Sequence, residues 1–169
     1  FAEELEKVLQ KDGYDLKRLV YEKNYSQIAR YILSEQGLDY QHKPKAMLLF
    51  HRYANEVRTA FEEHLVEAAA YATNVDKTVR MHFTISPEHK SMFVEKMQQV
   101  VPKWEERLGV RYIIDFSEQM SKTDMVALDK TGNIVRNADG SMLFRPGGHG
   151  ALIENLNALE ADLIFIKNI

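Results

Sequence analysis

"TVRMHFTISPEHKSMFVEKMQQVVPKWEERLGVRYIIDF", Thr78 to Phe116, reads as strand, helix, strand, and that order decides the fold class. Val79, Met81, Phe83 and Ile85 alternate with Arg80, His82 and Thr84, the period of two that a half-buried strand requires. Ser86 and Pro87 then offer an N-cap and a first-turn proline, and Met92, Phe93 and Met97 carry a helix forward. Pro102 is expected to break or restart that helix and Gly109 to end it, before "VRYIIDF" forms the next strand. Strands alternating with helices imply an α/β fold, a mixed sheet flanked by helices. Ligands of such sheets gather where the strands end at their carboxyl termini.

Working outward, residues 1–40 are helical in pattern. Leu5, Val8 and Leu9 share one face, and Leu19, Ile28, Ile32 and Leu33 are expected inside. "AMLLF", 46–50, fits a short strand or a buried turn. Thr59 and Glu62 have capping-box spacing ahead of a helix with Phe61, Leu65, Ala68 and Ala72 on its buried side. After Phe116 come a strand at "DMVALD", turns at Thr131-Gly132-Asn133 and Asp139-Gly140, and then "FRPGGHGALIENLNALEADLIFIKNI", Phe144 to Ile169. This last stretch reads as a glycine-rich loop, a helix from about Ala151 to Leu159 and an apolar strand. The chain shows no internal repeat and no linker, so residues 1–169 read as a single α/β domain. The opening "FAEELEKVLQ" resembles the middle of a helix and the last strand ends without a cap, so an incomplete domain is expected.

The chain has 169 residues, 45% apolar and 28% charged, with a net charge of −3. That suits a folded domain with a core and lacks the basic excess of a nucleic-acid binder, so no nucleic-acid partner is expected. No apolar run is long enough to span a bilayer, so no membrane partner is expected either. The absence of cysteine excludes disulfides, thiolate zinc sites and thiol nucleophiles, and fits the reducing cytoplasm expected as its location.

Gly147, Gly148 and Gly150 around His149 leave backbone bare, which lets N–H groups approach a ligand closely. Arg145 adds charge beside them. The loop suits a phosphate or the polar edge of a nucleotide, although a tight connection with Leu152, Ile153, Leu156 and Leu159 as core uses the same residues. It matches neither GxGxxG nor a P-loop. Lys43 and Lys45, with Arg58 further on, form a basic stretch that can clamp phosphates or simply be solvated. Gln119 lies just past a strand end, where its amide can donate and accept at once to a base edge or serve a surface turn. No second histidine stands at zinc-ligand spacing from His64, and no Ser-His-Asp order is legible.

"FSEQMSKTDMVALD", "SMLFRPGGHGALIENL" and "ADLIFIKNI", in this order, resemble the UDP-sugar pyrophosphorylase superfamily of nucleotidyltransferases. Those enzymes carry a Phe-x-x-Gln or Phe-x-Gln segment, a Pro-Pro-Gly-His-Gly-like loop before a helix, and a strand ending near Asn-Ile-Asp-Asn. "VRTAFEEHLVEAA", "LFRPGGHGALIENLN" and "FIKNI" resemble more closely a bacterial domain-of-unknown-function family related to these enzymes, across essentially the whole chain. The resemblance implies a GT-A-like (Rossmann-like) nucleotidyltransferase fold. It implies a reaction that joins a nucleoside triphosphate, UTP favoured, to a sugar 1-phosphate with release of pyrophosphate and with Mg2+ as cofactor. It places Gln119 at the nucleobase, Gly147 to Gly150 against nucleotide and sugar, His149 near phosphate or sugar, and Asn168 at the sugar-phosphate end. Lys43 or Lys45 would match a phosphate-binding lysine. The alternative is a non-catalytic module that binds a nucleotide or sugar phosphate. Three departures stand out. The family's amino-terminal glycine segment with its arginine is absent, the metal-binding Asp is expected just after Ile169, and Ala60 replaces a proline.

Overall fold

The computed structural model describes residues 1–168. The architecture is α/β, with small sheets flanked by helices and strands paired in twos. The chain divides into two units, Phe1–Glu67 with Asn168–Ile169, and Ala68–Lys167.

In the first unit, α1 (Ala2–Lys11), α2 (Leu16–Tyr21) and α3 (Tyr25–Leu33) pack on one another. Leu5, Leu9, Leu19 and Tyr31 are their buried centre, with Val8, Leu16, Ile28, Ile32 and Leu38 around it. Leu33, expected inside, is exposed, because it sits about 140° around the helix from Ile28 while Tyr31 and Ile32 share the inward face. The buried Tyr31 hydroxyl donates to Asp12, and Gln36 Nε2 reaches the same carboxylate at 2.9 Å. Burial, with Asp12 alongside, pushes the Tyr31 phenol up to about 12. "AMLLF" is both of its expected forms: a 3-10 turn over Lys45–Met47, then β1 (Leu49–Arg52), paired antiparallel with β2 (Val57–Thr59). The capping box is formed as the spacing predicts. Thr59 N donates to Glu62 Oε2 at 3.1 Å and Glu62 N donates to Thr59 Oγ1 at 3.3 Å, opening α4 (Ala60–Tyr71).

The second unit is built on β3 (Thr78–Ile85), α5 (Lys90–Leu108) and β4 (Arg111–Glu118), with β3 and β4 parallel in register from Thr78↔Arg111 to Ile85↔Glu118. Parallel strands need such a crossover, and here it is α5. One face of the pair carries Val79, Met81, Phe83, Tyr112, Ile114 and Phe116. The rings of Phe83 and Phe116 lie 5.9 Å from Phe93 of α5. The other face carries Arg80, His82, Thr84, Asp115 and Ser117. Gly109 ends α5 in the left-handed region at φ 66°. Pro102 does not break the helix, which runs through it from Lys90 to Leu108; it forgoes one backbone bond, and Trp104 and Val100 hold the turn on either side.

Beyond β4 the chain holds a repeat that inspection of residue types alone overlooks. β5 is only Met125–Val126, and it pairs antiparallel with β6 (Phe144–Arg145). Between them Ala127, Val135 and Leu143 recur every eight residues and bond in a ring. Val135 N donates to Ala127 O at 2.9 Å, Leu143 N to Val135 O at 2.9 Å, and Ala127 N to Leu143 O at 2.8 Å. Each excursion closes on a glycine of the same period, Gly132 at φ 86° and Gly140 at φ 85°. Asp129 and Asp139 fold the turns over their own carboxylates, accepting from the amides of Thr131 (2.8 Å) and Ser141 (2.9 Å). The third glycine of the series is Gly148, whose φ is −73°, and there the pattern opens into the glycine-rich loop.

The segment after that loop departs from expectation. The helix is a 3-10 turn (His149–Leu152) followed by α6 (Ile153–Asn157), and the final apolar run forms no strand among the described residues. Leu163 is 72% exposed, and the ring of Phe165 lies 4.7 Å from that of Tyr71. An apolar run becomes a strand only where a neighbour takes up its ladder, and none of the described strands does.

Candidate functional site

β3 and β4 are parallel, so their carboxyl ends, Ile85 and Glu118, lie side by side, and Gln119 is the first residue beyond. The glycine-rich loop returns to this end. A Cβ built on Gly147 would lie 2.9 Å from the carbonyl oxygen of Thr123 and 2.9 Å from Ala151 Cβ, with Gln119 Nε2 at 3.8 Å. Gly147 is therefore required by close packing against the chain that follows β4. Gly148 and Gly150 are different: a Cβ at either meets nothing within 4 Å. Backbone is bare and open at these two positions, beside a third where it is wedged. Ala151 N donates to Gly148 O at 2.9 Å and fixes the turn.

α6 pins the loop to the strand end through Asn155, while Leu152, Leu156 and Leu159 are half-buried. Ile153, expected in the core, is 54% exposed, while Asn155 is 4% exposed. Asn155 Nδ2 donates to Ser117 Oγ and to Glu118 O, both at 2.9 Å. Only the amide nitrogen can donate to a carbonyl, so this orients the side chain and turns Oδ1 the other way. Ser117 Oγ also meets His82 Nε2 at 2.8 Å and Thr84 Oγ1 at 3.3 Å. With three partners the hydroxyl is engaged in a network across both strands, which argues for a positioning part rather than a nucleophilic one. An ion pair between Lys122 and Glu154 ties the segment after Gln119 to α6 a second time.

Two buried atoms at this strand end, Gln119 Nε2 and Asn155 Oδ1, have no hydrogen-bond partner among the described residues. Buried polar groups are nearly always paired, so such atoms ask for an explanation. One is a donor and the other an acceptor.

Of the residues the sequence points to, the structure brings Gln119, Gly147, Gly148, His149 and Gly150 to one strand end. Arg145 lies on β6 just before them, exposed. His149 opens the 3-10 turn and is exposed. Lys43, Lys45, Arg58 and Asn168 belong to the first unit. Lys43 Nζ donates to Leu38 O at 2.9 Å, and Lys45 is exposed at the start of its turn. The Arg58 guanidinium stacks 4.0 Å over Tyr53, bonds Glu56 at 2.6 Å and lies 3.5 Å from Glu63. Asn168 is exposed. Sequence reasoning missed Asn155, Ser117 and the part played by His82. The available signal was an asparagine at a position where helical spacing from Leu152 and Leu159 calls for an apolar residue.

The described residues contain one group of three side chains placed to hold a cation, Glu35, Asp39 and His42, with ligating atoms within 4.8 Å of one another. It lies in the first unit and includes a histidine, which Mg2+ does not favour. No such group among the described residues lies at the glycine-rich loop. No helix among the described residues is long and apolar enough to cross a membrane.

The family model described as "Domain of unknown function (DUF4301)" matches residues 1–169, and the chain belongs to that family. No curated protein and no solved structure matches it.

Proposed function

We propose that this member of the family is a nucleotidyltransferase-like protein of GT-A-like fold, related to the UDP-sugar pyrophosphorylases. In this reading it joins a nucleoside triphosphate, UTP favoured, to a sugar 1-phosphate and releases pyrophosphate. The observation that carries the reading is the buried amide nitrogen of Gln119, without a hydrogen-bond partner among the described residues, at the carboxyl end of β4 and against a glycine-rich loop whose backbone is open at Gly148 and Gly150. Binding at strand ends is the rule for α/β sheets, and bare backbone suits phosphate oxygens.

In the proposed reaction an oxygen of the sugar phosphate attacks the α-phosphorus in line, and the bond to the pyrophosphate group breaks. No side-chain nucleophile is required, so the chain's own residues act by holding and orienting the two substrates. Mg2+ would supply charge neutralisation between phosphate oxygens. A second reading is a non-catalytic module that binds the same ligands.

A thermal-shift screen with nucleoside triphosphates, sugar 1-phosphates and nucleotide sugars, each with Mg2+, tests the reading. A ligand at 100 times its Kd stabilises the native state by about 2.7 kcal/mol, an easily measured rise in Tm. The expected result is a shift with UTP or a UDP-sugar, followed by pyrophosphate release when both substrates are present. A shift without release selects the binding module. No shift with any nucleotide or nucleotide sugar overturns both readings.

A further inference from the structure

We propose that Glu35, Asp39 and His42, in the loop that follows α3, form a binding site for a divalent first-row transition-metal ion, with Zn2+ the best fit. The inference does not rest on the nucleotide reading and concerns residues to which that reading gives no role.

The group differs from a patch of surface carboxylates in its nitrogen and in where the two carboxylates lie. Asp39 Oδ1 is 2.6 Å from His42 Nδ1, and Glu35 Oε1 is 3.9 Å from the same nitrogen. All three ligating atoms lie within 4.8 Å of one another. Zinc holds imidazole nitrogen and carboxylate oxygen at about 2.0–2.2 Å, so donors at these separations close on one ion by small side-chain rotations. One imidazole with two carboxylates suits zinc and its first-row neighbours, whereas Mg2+ and Ca2+ take oxygen. The far side of the ring is held as well, with Gln41 Nε2 at 3.1 Å from His42 Nε2. A metal-bound imidazole commonly gives its other N–H to such a neighbour, and a half-turn of the Gln41 amide presents its oxygen for that bond. Glu35 and His42 are exposed, so an ion reaches them from solvent. On binding, the ion replaces the proton between Nδ1 and Asp39, and that proton leaves to solvent.

The backbone that carries the three side chains is already fixed. Leu38 N, Tyr40 N and Gln41 N donate to the carbonyls of Tyr31 (2.8 Å), Ile32 (3.0 Å) and Leu33 (3.2 Å), and Asp39 N donates to Ser34 O at 3.0 Å. These bonds fold the loop back over the end of α3. Gly37 is pressed against it, because a Cβ there would collide with the Tyr31 carbonyl. On either side of the group, Gln36 Nε2 donates to Asp12 at 2.9 Å and Lys43 Nζ donates to Leu38 O at 2.9 Å. With the loop preformed, binding has only three side chains to order.

Calorimetric titration with zinc chloride, applied to the protein and to three variants, tests the site. His42→Ala removes the nitrogen. Asp39→Asn removes a charge and keeps the turn, since Asp39 has φ 54°, a region that asparagine tolerates. His51→Ala is the control, an exposed histidine that lies 3.3 Å from Glu63. Saturable binding of a single zinc ion at this site is expected, weakened at least about ten-fold by His42→Ala and by Asp39→Asn and unchanged by His51→Ala. Zinc should raise the Tm of the protein and not that of His42→Ala, and equimolar Mg2+ should not compete. Crystals grown with zinc should show an anomalous peak at the zinc edge among Glu35, Asp39 and His42. Absence of saturable binding, equal affinity in His42→Ala, or a loss on His51→Ala in its place overturns the proposal and leaves the contact of His42 with Asp39 as a hydrogen bond alone.

Discussion

Gly147 and Gly148 are neighbours with opposite reasons to be glycine. At Gly147 an added methyl group meets backbone at 2.9 Å, and a backbone oxygen cannot swing aside as a side-chain tip can. Gly147→Ala should therefore destabilise the fold by about 1–3 kcal/mol, the usual range for overpacking. Gly148 has φ −73° and ψ −166°, which any residue adopts, and open space where a side chain would go. Gly148→Val should change stability by less than about 0.5 kcal/mol, the range for surface substitutions, while weakening nucleotide binding through steric cover of the backbone. Urea unfolding of the two variants checks the ordering. Equal stability losses would mean that the loop is not wedged between Thr123 and Ala151. The sequence marks these positions as glycines but gives no means to tell the packed one from the open ones, because the backbone that wedges Gly147 belongs to Thr123, more than twenty positions away. Thr59 was fully legible: a threonine three residues before a glutamate formed its capping box. Thr59→Ala should cost about 1 kcal/mol in the same measurement.

Among the elements, β3 and β4 follow directly from periodicity, because alternation over eight residues leaves little ambiguity. Three others do not. Pro102 looks like a stop, yet the contacts of Trp104 and Val100 outweigh one missing backbone bond. Pro102→Ala should restore that bond and raise stability by about 1–3 kcal/mol, up to the propensity difference between the two residues. A fall in Tm would show instead that the proline ring itself packs in the groove of about 280 Å3 that it shares with Met97, Tyr112 and Ile114. The eight-residue repeat was missed because its unit is a turn, with only one backbone position per period in the ring. Its aspartates carry a pH signature. The Thr131 hydroxyl and backbone bonds hold Asp129 below its ordinary value of 3.8, and the Ser141 hydroxyl and amide do the same for Asp139. A lowered carboxyl value contributes stability that is present above 3.8 and is lost as pH falls through the lowered value. An NMR titration of the two carboxyl carbons should give midpoints below 3.8; midpoints at or above it would mean that the turns are open in solution. α6 was misjudged because a run of Leu and Ile suggested an apolar inner face, whereas the strand end offered a hydroxyl and a carbonyl and selected Asn155.

For the molecule as a whole, the α/β class was legible and the pairing of strands was not. Pairing depends on contacts between distant segments, and the apolar run at 162–167 shows the limit. It has the composition of a strand, and none of the described strands pairs with it. The candidate site was legible in part for the same reason. Gln119 and the glycines announce themselves by residue type, whereas Ser117 and His82 become informative only when two parallel strands bring them within 2.8 Å. The central claim is that the carboxyl end of β4 and the glycine-rich loop form one nucleotide site. Hydrogen–deuterium exchange of the protein with and without saturating UTP tests it most directly. Slower exchange at residues 119–124 and 147–152 together is expected when UTP is bound. Protection confined to other segments, with these two unchanged, would contradict it.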